Sequence, residues 1–235
     1  MVRFMTGTGS SGAATSRREA RRLARRQTIL AVAAESFFQN GYAGTTMSDI
    51  AATLGGSKGT LWSYFASKEE LFAAVLTEAT AAYRAEMSRI LNPLDDVGTS
   101  LRHFCVSMLK KVTSPTAVAL HRLVVAESTR FPEIGRIFSE NAPRRTRGLL
   151  ADYLRAAMEK GQLRVADPDR AARALMTLNV SGCHQQIVWG VIDDVTEEMI
   201  EQDAAFTLDL FLRAYAPPTA TGRAGSAVHS LHEPG

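Results

Sequence analysis

The chain has 235 residues, of which 46% are apolar and 22% charged, the proportions of an ordinary globular protein with room for a core that needs no staples. No run of eighteen apolar residues occurs, so a spanning helix is excluded. The first residues lack an apolar stretch behind their basic ones, so no secretory signal is expected. Cys105 and Cys183 are the only cysteines, which excludes a disulfide framework or a Cys-rich zinc module and points to a reducing, cytoplasmic setting. The net charge of +3 divides unevenly. Residues 1–68 hold nine bases against three acids, and the remainder is net −3. That division suggests a head that binds a polyanion and a body with another task, the alternative being a solvated basic tail.

Residues 1–16 and the segment from 216 to 235 are rich in Gly, Ser, Thr, Ala and Pro without periodicity and are expected to be disordered. Everything between them looks helical. A first helix should start within Arg17–Arg26, bury Ile29, Val32, Ala33, Ser36 and Phe37, and stop in left-handed backbone at Gly41. A short helix follows from Thr46 to Leu54, capped by Thr45 or Thr46, with Ile50, Ala51 and Leu54 facing in. Gly55-Gly56 breaks the chain, and Ser57 caps a second short helix running to Phe65. Ser67 and Glu70 then form a capping box for a long helix that lasts until Asn92-Pro93.

Five more helices are predicted near 95–112, 116–129, 133–160, 168–190 and 196–215, with Pro143 kinking or splitting the third of these. The last helix carries two apolar stripes, Ile200, Ala204, Leu208, Phe211 and Tyr215 on one side and Met199, Phe206 and Leu210 on another. A helix apolar on two sides is buried from two sides, so a partner is expected there, with Leu208 and Phe211 at the contact. The predicted class is all-α, with a helix-turn-helix head over 17–68 and a helical ligand-binding and dimerisation body over 69–215.

Two short helices joined by a Gly-containing turn, behind an amphipathic helix, are the layout of a helix-turn-helix. Thr46 suits a cap whose helix end meets a phosphate, and Ala51 is small enough for the second helix to approach. In SKGTLWSYF, Leu61 and Phe65 hold the inner face, while Ser57, Lys58, Gly59, Thr60, Trp62 and Ser63 offer small or polar groups outward. Gly59 lets the backbone lie close to a groove floor, and Lys68 could carry an ammonium to the phosphate backbone.

The segment TTMSDIAATLGGSKGTLWSYFASKEELF, residues 45–72, resembles the DNA-binding signature of the TetR family of bacterial transcriptional regulators; with the first helix the likeness covers residues 25–72. LHRLVVAESTRFPEIGRIFSENAP further resembles the AefR-like type of ligand domain. The resemblance implies a homodimer joined by its last two helices, whose small-molecule effector changes the spacing of the heads and releases a palindromic operator. Carried over by position, Lys58, Gly59 and Thr60 would lie in the major groove, and Thr46, Trp62, Tyr64 and Lys68 would hold the backbone. This chain has Trp62 where tyrosine is frequent and Gly56 where valine is frequent. An activator or co-repressor of the same fold remains an open alternative.

The spacing of the Arg17–Arg26 run is expected to put bases on several faces of a helix, leaving it either solvated or, as an arm, able to reach a minor groove. In the body, Phe104, Met108, His121, Arg122, Asn179, Cys183 and Trp189 are candidates for ligand contact, with His103, Met158, Met176 and His184 behind them. Any one of these is more often plain core or surface. A buried Arg122 could pair with Glu127, although five residues is a poor helical spacing. No metal-binding spacing, phosphate loop or nucleophile elbow occurs, so neither a metal, a cofactor nor catalysis is expected. An apolar or amphipathic effector suits an Ala-, Leu- and Met-rich body. A non-specific architectural DNA protein is the remaining competitor.

Overall fold

In the computed structural model, residues 10–55 and 58–217 are described. The expectations for residues 1–9, Gly56, Ser57 and the tail from 218 lie outside them. Among the described residues there are helices and no strands, as the patterning required. Helix α1 spans Ser10–Gly44, α2 Met47–Thr53, α3 Lys58–Trp62, α4 Lys68–Ile90, α5 Val97–Val112 and α6 Pro115–Glu127. They are followed by α7 Pro132–Asn141, α8 Pro143–Glu159, α9 Pro168–Asn179, α10 Cys183–Trp189 and α11 Glu197–Tyr215.

The long elements depart from the expected nine helices in three places, the last two for local reasons. Helix α1 begins at Ser10, ahead of the Arg run, so the stretch 10–16 expected to be disordered is helical. Pro143 splits the predicted 133–160 helix, because it lacks an amide donor and crowds the preceding turn. The predicted 168–190 helix breaks at Val180–Gly182. There the amide of Cys183 donates to Asp203 Oδ2 at 2.6 Å, and a β-carbon on Gly182 would run into that same carboxylate.

The chain divides into two compact units, each with its own core. One comprises the described residues of Met1–Ala85 with Ser114–Arg145, and the other Glu86–Thr113 with the described part of Thr146–Gly235. In the first unit Ile29, Leu30, Ala33 and Phe37 of α1 pack with Ile50, Ala51, Leu61, Phe65, Leu71, Phe72 and Leu76, and with Val124, Ile134 and Ile137 of α6 and α7. At its centre Phe37 lies parallel to Tyr42 at 5.7 Å, and Phe72 meets both edge-on at 5.1 and 5.3 Å.

In the second unit α11 packs on α5, α9 and α10. Ile200, Ala204, Thr207 and Phe211 are its buried stripe, and Leu101, Phe104 and Leu109 of α5 and Leu175 of α9 are buried in the same unit. Arg102–Glu201 at 2.7 Å and Lys110–Glu197 at 2.9 Å tie α5 to α11 at the surface. Phe211, expected at a partner contact, belongs instead to the protomer's own core: it is 3% exposed and stacks on Tyr215 at 4.5 Å. Leu208 is half-buried, and the outward apolar residues of α11 are Phe206 at 60% and Leu210 at 40% exposure.

Candidate nucleic-acid interface

Helices α2 and α3 have seven and five residues, too short to persist alone in water, so their surroundings must set their geometry. Of the two candidate caps for α2, Thr46 is the one that serves. Its Oγ1 accepts from the Asp49 amide at 3.1 Å and donates to Asp49 Oδ2 at 2.6 Å. Thr45 is buried and turns back, donating to the carbonyls of Gly41 and Ser36 at 2.8 and 3.0 Å. Helix α3 ends sooner than its sequence suggested, at Trp62, and Tyr64 and Phe65 close the turn by donating from their amides to Leu61 O. The capping box ahead of α4 forms, with Glu70 N donating to Ser67 Oγ at 3.1 Å. Its return bond reaches one residue further back, from Ala66 N to Glu70 Oε2 at 2.8 Å.

The expected outward face of α3 is largely outward. Gly59, Trp62 and Ser63 are exposed, and Thr60 is half-buried. Ser63 Oγ donates to Thr60 O at 2.7 Å. Lys58 stands at the first position of α3, and Leu61 and Phe65 are buried beneath it. Tyr64 is half-buried against the first unit's core, so only part of its ring faces water. Thr46 is exposed at the start of α2.

Lys68 does more than its sequence position suggested. Its Nζ donates to Tyr42 O at 2.9 Å and Thr45 O at 3.1 Å and sits 4.1 Å above the Tyr42 ring. It therefore tethers the α1–α2 corner to the start of α4, which leaves one of three ammonium hydrogens for a phosphate. The other tether was not legible at all. Glu127, at the end of α6, accepts from the amides of Tyr42 at 2.8 Å and Ala43 at 2.7 Å. Gly41 just before them has φ +73°, and a β-carbon there would lie 2.5 Å from Glu127 Oε1. A glycine is needed at that corner both for its backbone and for its lack of a side chain. Glu127 is thus spent on the backbone of the head, while Arg122, expected buried beside it, is exposed.

Tyr42 is fully buried, and its hydroxyl donates to Glu69 Oε1 at 3.3 Å. Burial, then the negative charges of Glu69 and Glu133, push its phenol well above the usual range, so it stays neutral. Phe131 packs edge-on to it at 5.6 Å. The segment around Glu127–Phe131 that carried the second sequence resemblance is therefore the seat on which the α1–α2 corner rests.

The arginine run also differs from expectation. Along continuous α1, Arg17, Arg21 and Arg25 form one row and Arg18, Arg22 and Arg26 the next, so the bases share one side of the helix rather than several. Arg25 Nη2 donates to Leu54 O at 3.4 Å, and the Arg26 guanidinium lies 5.5 Å from the Phe65 ring centroid. Arg17, Arg18, Arg21 and Arg22 are exposed.

The body candidates divide between the two units. His121 is half-buried in the first, edge-on to Phe138 at 6.3 Å, and burial lowers its pKa. In the second unit Phe104, Met108, Asn179 and Cys183 are buried, and Asn179 Nδ2 donates to Cys105 O at 3.0 Å while its Oδ1 has no partner among the described residues. Trp189, like Arg122, is an exposed surface residue (67%) rather than a lining one. Burial pushes the thiols of Cys105 and Cys183 up to about 12, Cys183 with help from Asp203, so neither is a ready nucleophile. No group of three or more metal-ligating side chains occurs among the described residues. No helix among them is long and apolar enough to cross a membrane.

A capped short helix followed by a second short helix that turns Gly59, Trp62 and Ser63 outward, set in the basic part of the chain, is the arrangement of a helix-turn-helix regulator. Residues 29–75 match the family described as bacterial regulatory proteins, tetR family, and residues 99–217 match the AefR-like transcriptional repressor C-terminal domain. The chain belongs to the TetR family, whose members are transcriptional regulators and not enzymes. It is 27% identical over 190 residues to the HTH-type transcriptional regulator UidR of Escherichia coli, spanning 79% of this chain and 88% of that one. The solved structure of the flavonoid-responsive regulator FrrA is 32% identical, with a TM-score of 0.71, over 83% of this chain and 98% of that one. SmeT, the repressor of the Stenotrophomonas maltophilia multidrug efflux pump SmeDEF, is 26% identical with a TM-score of 0.59, over 83% and 94%.

Proposed function

We propose that this regulator is a homodimeric repressor that leaves a palindromic operator when a small molecule binds in its helical body. The observation that carries the reading is a capped helix-turn-helix that turns Gly59, Trp62 and Ser63 outward, in a chain whose basic charge is concentrated in that same part. In this reading Lys58, Gly59 and Thr60 read base edges, and Thr46, Ser57, Trp62, Ser63, Tyr64 and Lys68 hold phosphates. The indole N–H of Trp62 is a donor that reaches a phosphate as a phenol would.

The dimer contact is assigned to α10 and α11. Trp189, Phe206 and Leu210 are large apolar side chains left exposed there, which supports a partner helix pair. The effector is assigned to the second unit, near Phe104, Met108, Asn179 and Cys183. The orphan carbonyl Oδ1 of Asn179 supports a ligand with one hydrogen-bond donor on an otherwise apolar frame. The description of FrrA as flavonoid-responsive agrees with a small-molecule effector. Release then requires only that the ligand favour one of two packings that set the heads differently.

Selection from a pool of random duplexes tests the reading. Enriched sequences should be palindromes with half-sites about 10 bp apart, or a multiple of that, matching two recognition helices on a two-fold axis. Recovery of no shared sequence would instead mark a non-specific DNA protein.

A further inference from the structure

The match to the TetR DNA-binding family starts at residue 29, whereas α1 starts at Ser10. About five turns of helix, on the order of 28 Å, therefore precede the part that the family describes. This extension carries Arg17, Arg18, Arg21, Arg22, Arg25 and Arg26 and one acid, Glu19. At about 100° per residue the six arginines occupy about half of the helix circumference.

The lower end of each row is anchored on the helix-turn-helix. Arg25 donates to the carbonyl of Leu54, the C-cap of α2, and Arg26 covers the ring of Phe65, just after α3. The side of α1 that faces the helix-turn-helix at its base is thus the side that carries four exposed arginines further out. No apolar face accompanies them. The one large apolar residue of the stretch, Leu23, is 58% exposed and lies off the arginine arc. A helix without an apolar stripe has nothing to bury in a bilayer or against a partner helix. Guanidinium groups one turn apart on a rigid rod suit phosphates, which they hold with paired hydrogen bonds.

We propose that Arg17, Arg18, Arg21 and Arg22 grip DNA phosphates flanking the half-site that α3 reads, so that each head covers more duplex than its base contacts require. The inference rests on the DNA-binding reading above and adds a second, sequence-independent contact surface to it.

The test uses the full chain, the selected operator and fluorescence anisotropy across a salt series. The variant Arg17→Gln/Arg18→Gln/Arg21→Gln/Arg22→Gln changes only exposed positions to another good helix former. Its plot of log affinity against log salt should be shallower by about 0.9 for every phosphate that the arginines no longer neutralise, hence by at least about 1.8 per dimer. Its preference for operator over random duplex should not change, because phosphate contacts carry no sequence information. Trimming the duplex to the bare palindrome should weaken the wild-type chain and leave the variant unmoved. The matching four-lysine variant should restore the slope, which separates loss of charge from loss of helix.

If the wild-type chain prefers the operator but slope and flank dependence survive in the glutamine variant, the arm inference falls and the reading of α3 stands. A chain that prefers no palindrome overturns both. Wild-type binding to phosphatidylserine vesicles that the variant lacks, with unchanged DNA binding, would assign the arginines to lipid and overturn the proposal.

Discussion

In the first unit the two helices of the helix-turn-helix have seven and five residues, whereas α5, α9 and α11 of the second have 16, 12 and 19. The long helices bury apolar stripes against one another and need little else. The short ones are held from outside by directional bonds: Glu127 on the amides of Tyr42 and Ala43, Lys68 on the carbonyls of Tyr42 and Thr45, and Arg25 on Leu54 O. The bearing of α2 and α3 therefore depends on polar tethers at the two ends of α2 together with the core that Ile50, Ala51, Leu61 and Phe65 enter. The second unit depends on continuous packing, with Asn179 and Asp203 as inner polar contacts and the surface pairs Arg102–Glu201 and Lys110–Glu197 outside it.

The contrast can be broken most severely in the body. Phe211→Glu places a charge in a packed core and should cost more than about 4 kcal/mol, giving a chain that no longer melts cooperatively by circular dichroism. Phe206→Glu with Leu210→Glu should leave the protomer folded but monomeric by light scattering, with operator affinity at least about 100-fold weaker because two half-sites are no longer bound together. A fully dimeric double variant would move the interface off α11.

Smaller effects are expected at the tethers. Glu127→Ala strands two amides and should destabilise the first unit by about 1–3 kcal/mol, with hydrogen exchange rising at Tyr42 and Ala43 before it rises in α5 or α11. Lys68→Met should cost about 1–2 kcal/mol through its two carbonyl bonds. The same change should flatten the salt dependence of DNA binding by about 0.9 for each phosphate that Lys68 holds; a flat thermal shift with a reduced slope would assign Lys68 wholly to DNA. Thr60→Ala is the mildest. It should change affinity by about 1 kcal/mol, and only for operators altered at particular base pairs.

What could be seen in the sequence was local. Thr46 and the Ser67–Glu70 box sit within one turn of the amides they cap, and Gly41 marks its own corner, so residue type and spacing carry that information. The split at Pro143 is also local, since the ring itself forbids the continuing bond. The tethers are not, because Glu127 reaches a backbone 85 residues away and an amide has no side chain to leave a mark in the sequence. Nearness in sequence suggested Arg122 as a partner for Glu127, at a poor helical spacing, and nothing pointed to the backbone of Tyr42 and Ala43. The same limit placed Phe211 at an interface: two apolar stripes on α11 are visible in the sequence, but which one the protomer buries depends on α5 and α9. The arginine rows share one side because α1 is already helical ahead of Arg17, from Ser10, rather than starting within the run.

Whether α3 reads one half of a palindromic operator is decided by binding the wild-type chain to the selected operator and to a scrambled duplex of equal length at increasing salt. Operator affinity should stand at least about 1000-fold above that for the scrambled duplex, with both falling steeply as salt rises. Equal affinity for the two duplexes, or an affinity that salt does not change, would contradict that role for α3.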